Sequence, residues 1–301
     1  MFLRVALLFG GHKVPRQRIN ENSVLPNTDP HAQPRAFRFI LLCHQRSGSN
    51  ALQAMLNETG EAAIWGQLFN QFWRYRRKQA KKGTPPPPRH PRAILHFGLR
   101  PGIAKRAECA ILDRMPCAAD VDTVARAYWR VHCSNDPTPY RAKGYKLHDF
   151  QVSDDDLARL GTEHADGVVI LSRSNLLRAA VSWGYAKRTD VWSTRGRKVA
   201  SKEVHALDPE DLRWFIDKTA REVDNWRQVL ERAGANVLDL NFEREIETRG
   251  LERLWHFLGM PWKGTPDFAT KRLAEPTYSH IANAREIDTA LGSAATGRLF
   301  A

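Results

Sequence analysis

Residues 37–60, FRFILLCHQRSGSNALQAMLNETG, constrain the fold more than any other stretch of the chain. Phe39-Ile40-Leu41-Leu42-Cys43 is a run of apolar residues long enough for a buried strand and too short for a helix. A polar turn follows, His44 to Asn50, and then Ala51–Asn57 with Leu52, Met55 and Leu56 at helical spacing. Gly60 stands where a glycine ends a helix. Strand, small-residue turn and helix together make an anion site. The first helical turn presents N–H groups without intrahelical acceptors, and the helix dipole favours negative charge there. Ser47, Gly48 and Ser49 allow close backbone approach, their hydroxyls add donors, and Arg46 supplies a planar cationic fork. A turn that merely caps its helix is the competing reading.

The turn is not the phosphate loop of ATP-type enzymes, which requires G-x-x-x-x-G-K-[ST]; no Lys follows Gly48. A second strand–turn–helix unit appears at Gly167-Val168-Val169-Ile170-Leu171-Ser172, a continuous apolar run suited to a parallel sheet covered on both faces. It leads into Arg173-Ser174-Asn175-Leu176-Leu177-Arg178 and on to Ser182. Arg173 and Ser182 can face one ligand if Arg173 lies on the turn and Ser182 inside the helix.

QRSGSNAL resembles the 5′-phosphosulfate loop of sulfotransferases that use 3′-phosphoadenosine 5′-phosphosulfate (PAPS), and its Arg-Ser-Gly-Ser form resembles the bacterial carbohydrate enzymes, the trehalose and nodulation-factor types. The R-x-N-L-L-R-x-x-V-S segment at Arg173–Ser182 resembles the 3′-phosphate motif of the same family. Gly144-Tyr145-Lys146-Leu147 resembles a family strand beside the cofactor cleft, Leu251–Pro261 its helix-FLG-Pro ending, and Ser279-His280-Ile281-Ala282-Asn283 a C-terminal segment of the bacterial members. The resemblance spans residues 37–283. It implies an α/β fold, a three-layer parallel sheet with helices on both faces of the P-loop NTPase-like sulfotransferase type. It further implies sulfuryl transfer from PAPS to a hydroxyl of a carbohydrate or glycolipid. Ser47, Gly48, Ser49, Asn50 and Ala51 would bind the 5′ end with Arg46, which would also act in catalysis; Arg173 and Ser182 would hold the 3′-phosphate. No metal is required.

The general base is open. Many relatives carry a Glu where this chain has Gln67, which cannot take a proton but can orient a hydroxyl. His148, His96 and His44 are candidates by their ordinary titration range, and Glu61 is a further one. Phe242 and Glu243 fall at the Tyr-Glu end of a family strand, with Phe242 read as packing.

The remaining chain is organised around these units. Residues 1–36 are polar and Pro-containing, a tail or loose wrap, and 37–301 read as one domain with a basic, Pro-rich insertion at 71–92. That insertion mixes Arg74, Arg76, Arg77 and Lys78 with Phe72, Trp73 and Tyr75. In a chain with 46 Lys and Arg against 33 Asp and Glu, net +13, this insertion is either a solvated basic helix end and linker or a contact that suits an anionic glycan or membrane surface better than nucleic acid. A non-catalytic binder of anionic polymers is therefore the alternative to the enzyme. Cys43, Cys109, Cys117 and Cys133 form no metal or disulfide pattern and fit reduced thiols in a cytoplasmic protein. Helices are expected over Val121–Val131, with Val124, Ala127, Tyr128 and Val131 on one face, and over Leu212–Ala233. Ser153 is an expected N-cap, Val237–Glu243 a strand, and Ile94–Phe97 another.

Overall fold

The computed structural model describes residues 35–67, 69, 120–130, 140–148, 151–189, 204–248, 250–264, 280–293 and 296–299. Residues 1–34 of the N-terminal tail, the 71–92 insertion, His96, the Ile94–Phe97 strand, Val131 and three of the cysteines lie outside these residues.

Five parallel strands form the centre of the described residues: β1 (Phe37–Cys43), β2 (Ala62–Gln67), β3 (Ala142–Leu147), β4 (Gly167–Ser172) and β5 (Val237–Asn241). Their order is β2-β3-β1-β4-β5. The chain leaves β1 towards β2, returns through β3, and crosses to β4 on the other side. The direction of winding therefore reverses beside β1, and the crevice outside the strand C-termini opens there.

Period-two alternation sends the two faces of each strand to different helical layers. Ile40, Leu42, Tyr145, Leu147, Val168 and Ile170 pack against α2 (Val121–Trp129), α3 (Asp154–Arg159) and the C-terminal half of α5 (Pro209–Arg232). Phe39, Leu41, Cys43, Val169 and Leu171 pack against α1 (Ser49–Glu58) and α6 (Glu252–Phe257). The parallel three-layer arrangement expected from the sequence is the one observed. A third cluster joins α4 (Leu176–Thr189), the N-terminal half of α5 and α7 (Ala284–Leu291) through Leu177, Val181, Phe215, Ile216 and Ile287. No helix among the described residues is long and apolar enough to cross a membrane.

Local chemistry sets the element ends. Asp208, at the N-cap of α5, accepts from the Glu210 N–H at 2.9 Å, with Pro209 in the first turn. Ser153 caps α3 by accepting from Asp156 N–H, as its sequence position implied. Helix α1 begins at Ser49, two residues before its apolar pattern, because Gly48 enters it in the left-handed region (φ 88°). Strand β5 stops at Asn241 rather than running to Glu243. The Asn241 side chain accepts from Arg244 N–H, and Glu245 accepts from Asn241 N–H, so Phe242–Glu247 winds into a wide helical turn.

Candidate active site

All five strands point their C-terminal ends to one edge, and the sequence-predicted site residues gather on the segments that leave it. The β1–α1 loop carries Arg46 to Asn50. Among the described residues Arg46 alone is a non-glycine with positive φ, at 65°. Such a backbone is strained by roughly 1–2 kcal/mol, and the surroundings hold it. Arg46 Nε donates to Ser182 Oγ at 2.8 Å, and Arg173 Nη1 donates to the Arg46 carbonyl at 3.3 Å. The two motifs that the sequence separates are thus bonded to each other. Arg173 sits on the turn directly after β4, and Ser182 lies inside α4.

Electrostatics follow from that proximity. Burial, and then the like charge of Arg173, press the Arg46 guanidinium below its ordinary pKa. Arg173 Nε donates to Glu243 Oε1 at 2.8 Å, and its guanidinium lies 4.5 Å over the Phe242 ring. Glu243 also accepts from Ser174 N–H at 2.9 Å. Burial alone raises the Glu243 pKa; the charge and hydrogen bond of Arg173 and the Ser174 N–H outweigh it and hold the carboxyl below its usual range. Two guanidiniums partly shielded from water and close enough to repel each other are a setting that favours an anion.

The two helix N-termini differ. In α4, Asn175 Oδ1 accepts from Arg178 N–H at 2.9 Å, and the Thr296 carbonyl accepts from Leu177 N–H at 2.9 Å. In α1, Gly48 offers no side-chain cap. Ala51 N–H donates to the Gly48 carbonyl at 2.9 Å. The N–H groups of Ser49 and Asn50 precede the first intrahelical bond. Ser47 is 2 % exposed, and its Oγ has no hydrogen-bond partner among the described residues. A buried hydroxyl without a partner costs about 1–3 kcal/mol, and a tetrahedral anion in the loop satisfies it. These residues therefore offer the donors that a tetrahedral anion would meet.

Between β1 and β3 lies the remaining chemistry. His148 directly follows β3 and is 2 % exposed. Its Nδ1 is 2.7 Å from the Cys43 carbonyl, which only accepts, so Nδ1 carries a proton. Gln151 Oε1 accepts from His148 N–H at 2.9 Å. Burial pushes the Cys43 thiol up; His148, Lys146 and a hydrogen bond with Ser49 together bring it below its ordinary value.

Lys146, which the sequence reading left without a role, is buried on β3 and donates to Asn50 Oδ1 at 2.6 Å. The available signal was a lysine inside a strand with every position buried. His44 is taken up otherwise: its ring stacks on Trp226 at 4.4 Å, and Nδ1 lies 3.5 Å from Glu222 Oε2. Glu61 precedes β2, at the opposite edge of the sheet, where it pairs with Lys263; it cannot serve a site at the strand C-termini. Gln67 ends β2, the strand farthest from β5 in the sheet order, after a register irregularity at Trp65. Trp183 is a packing residue, stacked on Phe215 at 4.9 Å. Lys187, on α4, is paired with Asp211 at 2.7 Å. Asn283 clamps Leu207 through both its N–H and its carbonyl.

No protein-family model matches the chain, and no curated protein does. Among solved structures it is similar to a sulfotransferase from Alicyclobacillus acidocaldarius, at 15 % identity over 86 % of this chain and 90 % of that one, with a TM-score of 0.43.

Proposed function

We propose that the protein is a sulfotransferase acting on PAPS and a hydroxyl of a carbohydrate or glycolipid. One observation carries the reading: the Arg-Ser-Gly-Ser turn and the Arg–Ser pair of the second strand–turn–helix unit bond to each other through Arg46–Ser182 and Arg173–Arg46. A donor with phosphates at both the 5′ and 3′ positions needs two anion sites side by side, and the bonding of the two loops supports that reading.

PAPS, when bound, supplies an activated sulfuryl group. The chain supplies position and charge, which dominate transfers of this type. Ser47 Oγ and the N–H groups of Ser49 and Asn50 hold the 5′-phosphosulfate, with Gly48 keeping the backbone close. Arg46 neutralises charge that develops on its bridging oxygen. Arg173 and Ser182 hold the 3′-phosphate. Lys146 fixes Asn50 and adds a cation beside the loop. His148 takes the acceptor hydroxyl proton at Nε2, its tautomer set by the Cys43 carbonyl. Gln67 orients the acceptor.

Calorimetric titration with 3′-phosphoadenosine 5′-phosphate, 5′-AMP and ATP tests this. The bisphosphate is expected to bind far more tightly than the other two, and Arg173→Ala to remove that preference. Equal or absent binding of all three overturns the proposal in favour of a non-catalytic binder of anionic polymers, with residues 71–92 as its contact. His148→Asn is expected to abolish turnover while leaving bisphosphate affinity in place.

A further inference from the structure

Helix α5 precedes β5 directly and so runs antiparallel to the strands. Its Trp226 stacks on His44, the first residue beyond β1, and Glu222 reaches the same ring. Residues earlier in α5 therefore rise past the strand C-termini as a wall beside the site. Trp214 lies two helical turns above Glu222, about 12 Å at 1.5 Å per residue. It is 53 % exposed, and among the described residues Val204 is the other large hydrophobic side chain left exposed. Contacts link it to the site. Lys218 sits 5.9 Å over the Trp214 ring and pairs with Glu222 at 2.7 Å, and Glu222 meets His44.

The charge around Trp214 selects its ligand. Lys187 lies 5.1 Å over the neighbouring Trp183 and is paired with Asp211 at 2.7 Å, as Lys218 is with Glu222. In a chain of net charge +13, these cations are both neutralised by carboxylates. A polyanion gains little here. An exposed indole flanked by alternating carboxylates and ammonium groups instead suits a neutral polyhydroxyl, whose C–H face stacks on the ring and whose hydroxyls meet both signs of charge.

We propose that Trp214, with the Lys218–Glu222 and Lys187–Asp211 pairs, is the acceptor platform: it binds a neutral oligosaccharide along the α5 wall, on the part of the acceptor away from the reacting hydroxyl. The proposal rests on the sulfuryl-transfer reading and names its acceptor class. It makes Trp214 a specificity residue outside both phosphate loops.

The test compares wild type, Trp214→Ala and Trp214→Tyr of the full chain on a printed array of neutral glycans with heparin fragments alongside. The same preparations are titrated with 3′-phosphoadenosine 5′-phosphate, which also reports that each variant is folded. Wild type is expected to retain neutral oligosaccharides, Trp214→Ala to bind them about ten-fold more weakly, as one lost stacked ring implies, and Trp214→Tyr to keep most of the affinity. Bisphosphate affinity stays the same in all three. Neutral glycans bound equally by Trp214→Ala, retention of heparin alone, or no glycan bound overturns the platform. Loss of glycan binding in Trp214→Ala without any bisphosphate binding by wild type overturns the sulfuryl-transfer reading and leaves the platform standing.

Discussion

Gly48→Ala separates strain from crowding at the first phosphate loop. Gly48 has φ 88°, and a Cβ there would meet Phe242 Cε2 at 2.0 Å and Cδ2 at 2.1 Å. Left-handed backbone costs an alanine about 1–2 kcal/mol. Displacing a ring from a packed site adds about 1–3 kcal/mol. Phe242 is 2 % exposed among Leu240 and Ile246, so it cannot swing away freely. The expected loss is therefore about 2–5 kcal/mol, a large share of a typical total of about 5–15 kcal/mol. Gly60→Ala is the internal control: φ is 68°, and nothing lies within 4 Å of its Cβ, so only the strain of about 1–2 kcal/mol applies.

Urea unfolding measures both variants. Because the Arg173 guanidinium lies over the Phe242 ring, a displaced ring also moves Arg173. Gly48→Ala is then expected to weaken 3′-phosphoadenosine 5′-phosphate binding, and Gly60→Ala to leave it unchanged. Adding Phe242→Leu to Gly48→Ala is expected to cost less than the sum of the single changes, since they relieve one clash. Equal stability of Gly48→Ala and Gly60→Ala would refute the packing argument. Lost stability with intact binding would refute the link from Phe242 to the anion site.

Two further outcomes follow from the same loops. Arg46→Gly is expected to be about 1 kcal/mol more stable than Arg46→Ala in urea unfolding, because φ 65° suits glycine, while both lose bisphosphate affinity and turnover. Glu243→Gln is expected to flatten the acid limb of stability measured from pH 7 downwards: the folded carboxyl titrates below its unfolded value, so its contribution is present above the unfolded pKa and lost as pH falls through the folded one. A variant that keeps the wild-type acid limb would show that another carboxylate carries it.

The helices were legible where period and burial coincide. Helical spacing along the expected Leu212–Ala233 helix puts Leu212, Phe215, Ile216, Thr219, Val223, Trp226, Val229 and Leu230 on one face, and these are the residues α5 buries. An amphipathic stripe is a local property, and the sheet and helices on either side only have to accept it. In α2 the stripe widens to Val121, Ala125 and Trp129, since it faces both the sheet and α3. What stayed hidden depends on pairing across the chain. Periodicity carried β5 through Glu243, but Asn241 and Glu245 exchange hydrogen bonds with the backbone and turn it into a helical segment. That turn brings Glu243 to Arg173, a partnership between residues 70 apart in sequence. The link between Lys146 and Asn50 spans 96 residues, and no local pattern announces it.

The contrast between the two helix N-termini explains how the site divides its work. Helix α4 has its first N–H groups closed by Asn175 and by the Thr296 carbonyl, so the second loop offers an anion side chains: Arg173 from the turn, Ser182 from within the helix. Helix α1 enters through Gly48 without a side-chain cap, so the first loop offers backbone donors and the buried Ser47 hydroxyl. Backbone donors are fixed in direction and cost no reorganisation, which suits the end of the donor where charge changes during transfer. Side-chain guanidinium and hydroxyl groups suit a phosphate that only needs to be held and recognised. Arg46 belongs to both. Its strained backbone turns its carbonyl to Arg173 and its side chain to Ser182, so that in the proposed reaction filling the 3′-phosphate site and placing the Arg46 cation would become one event.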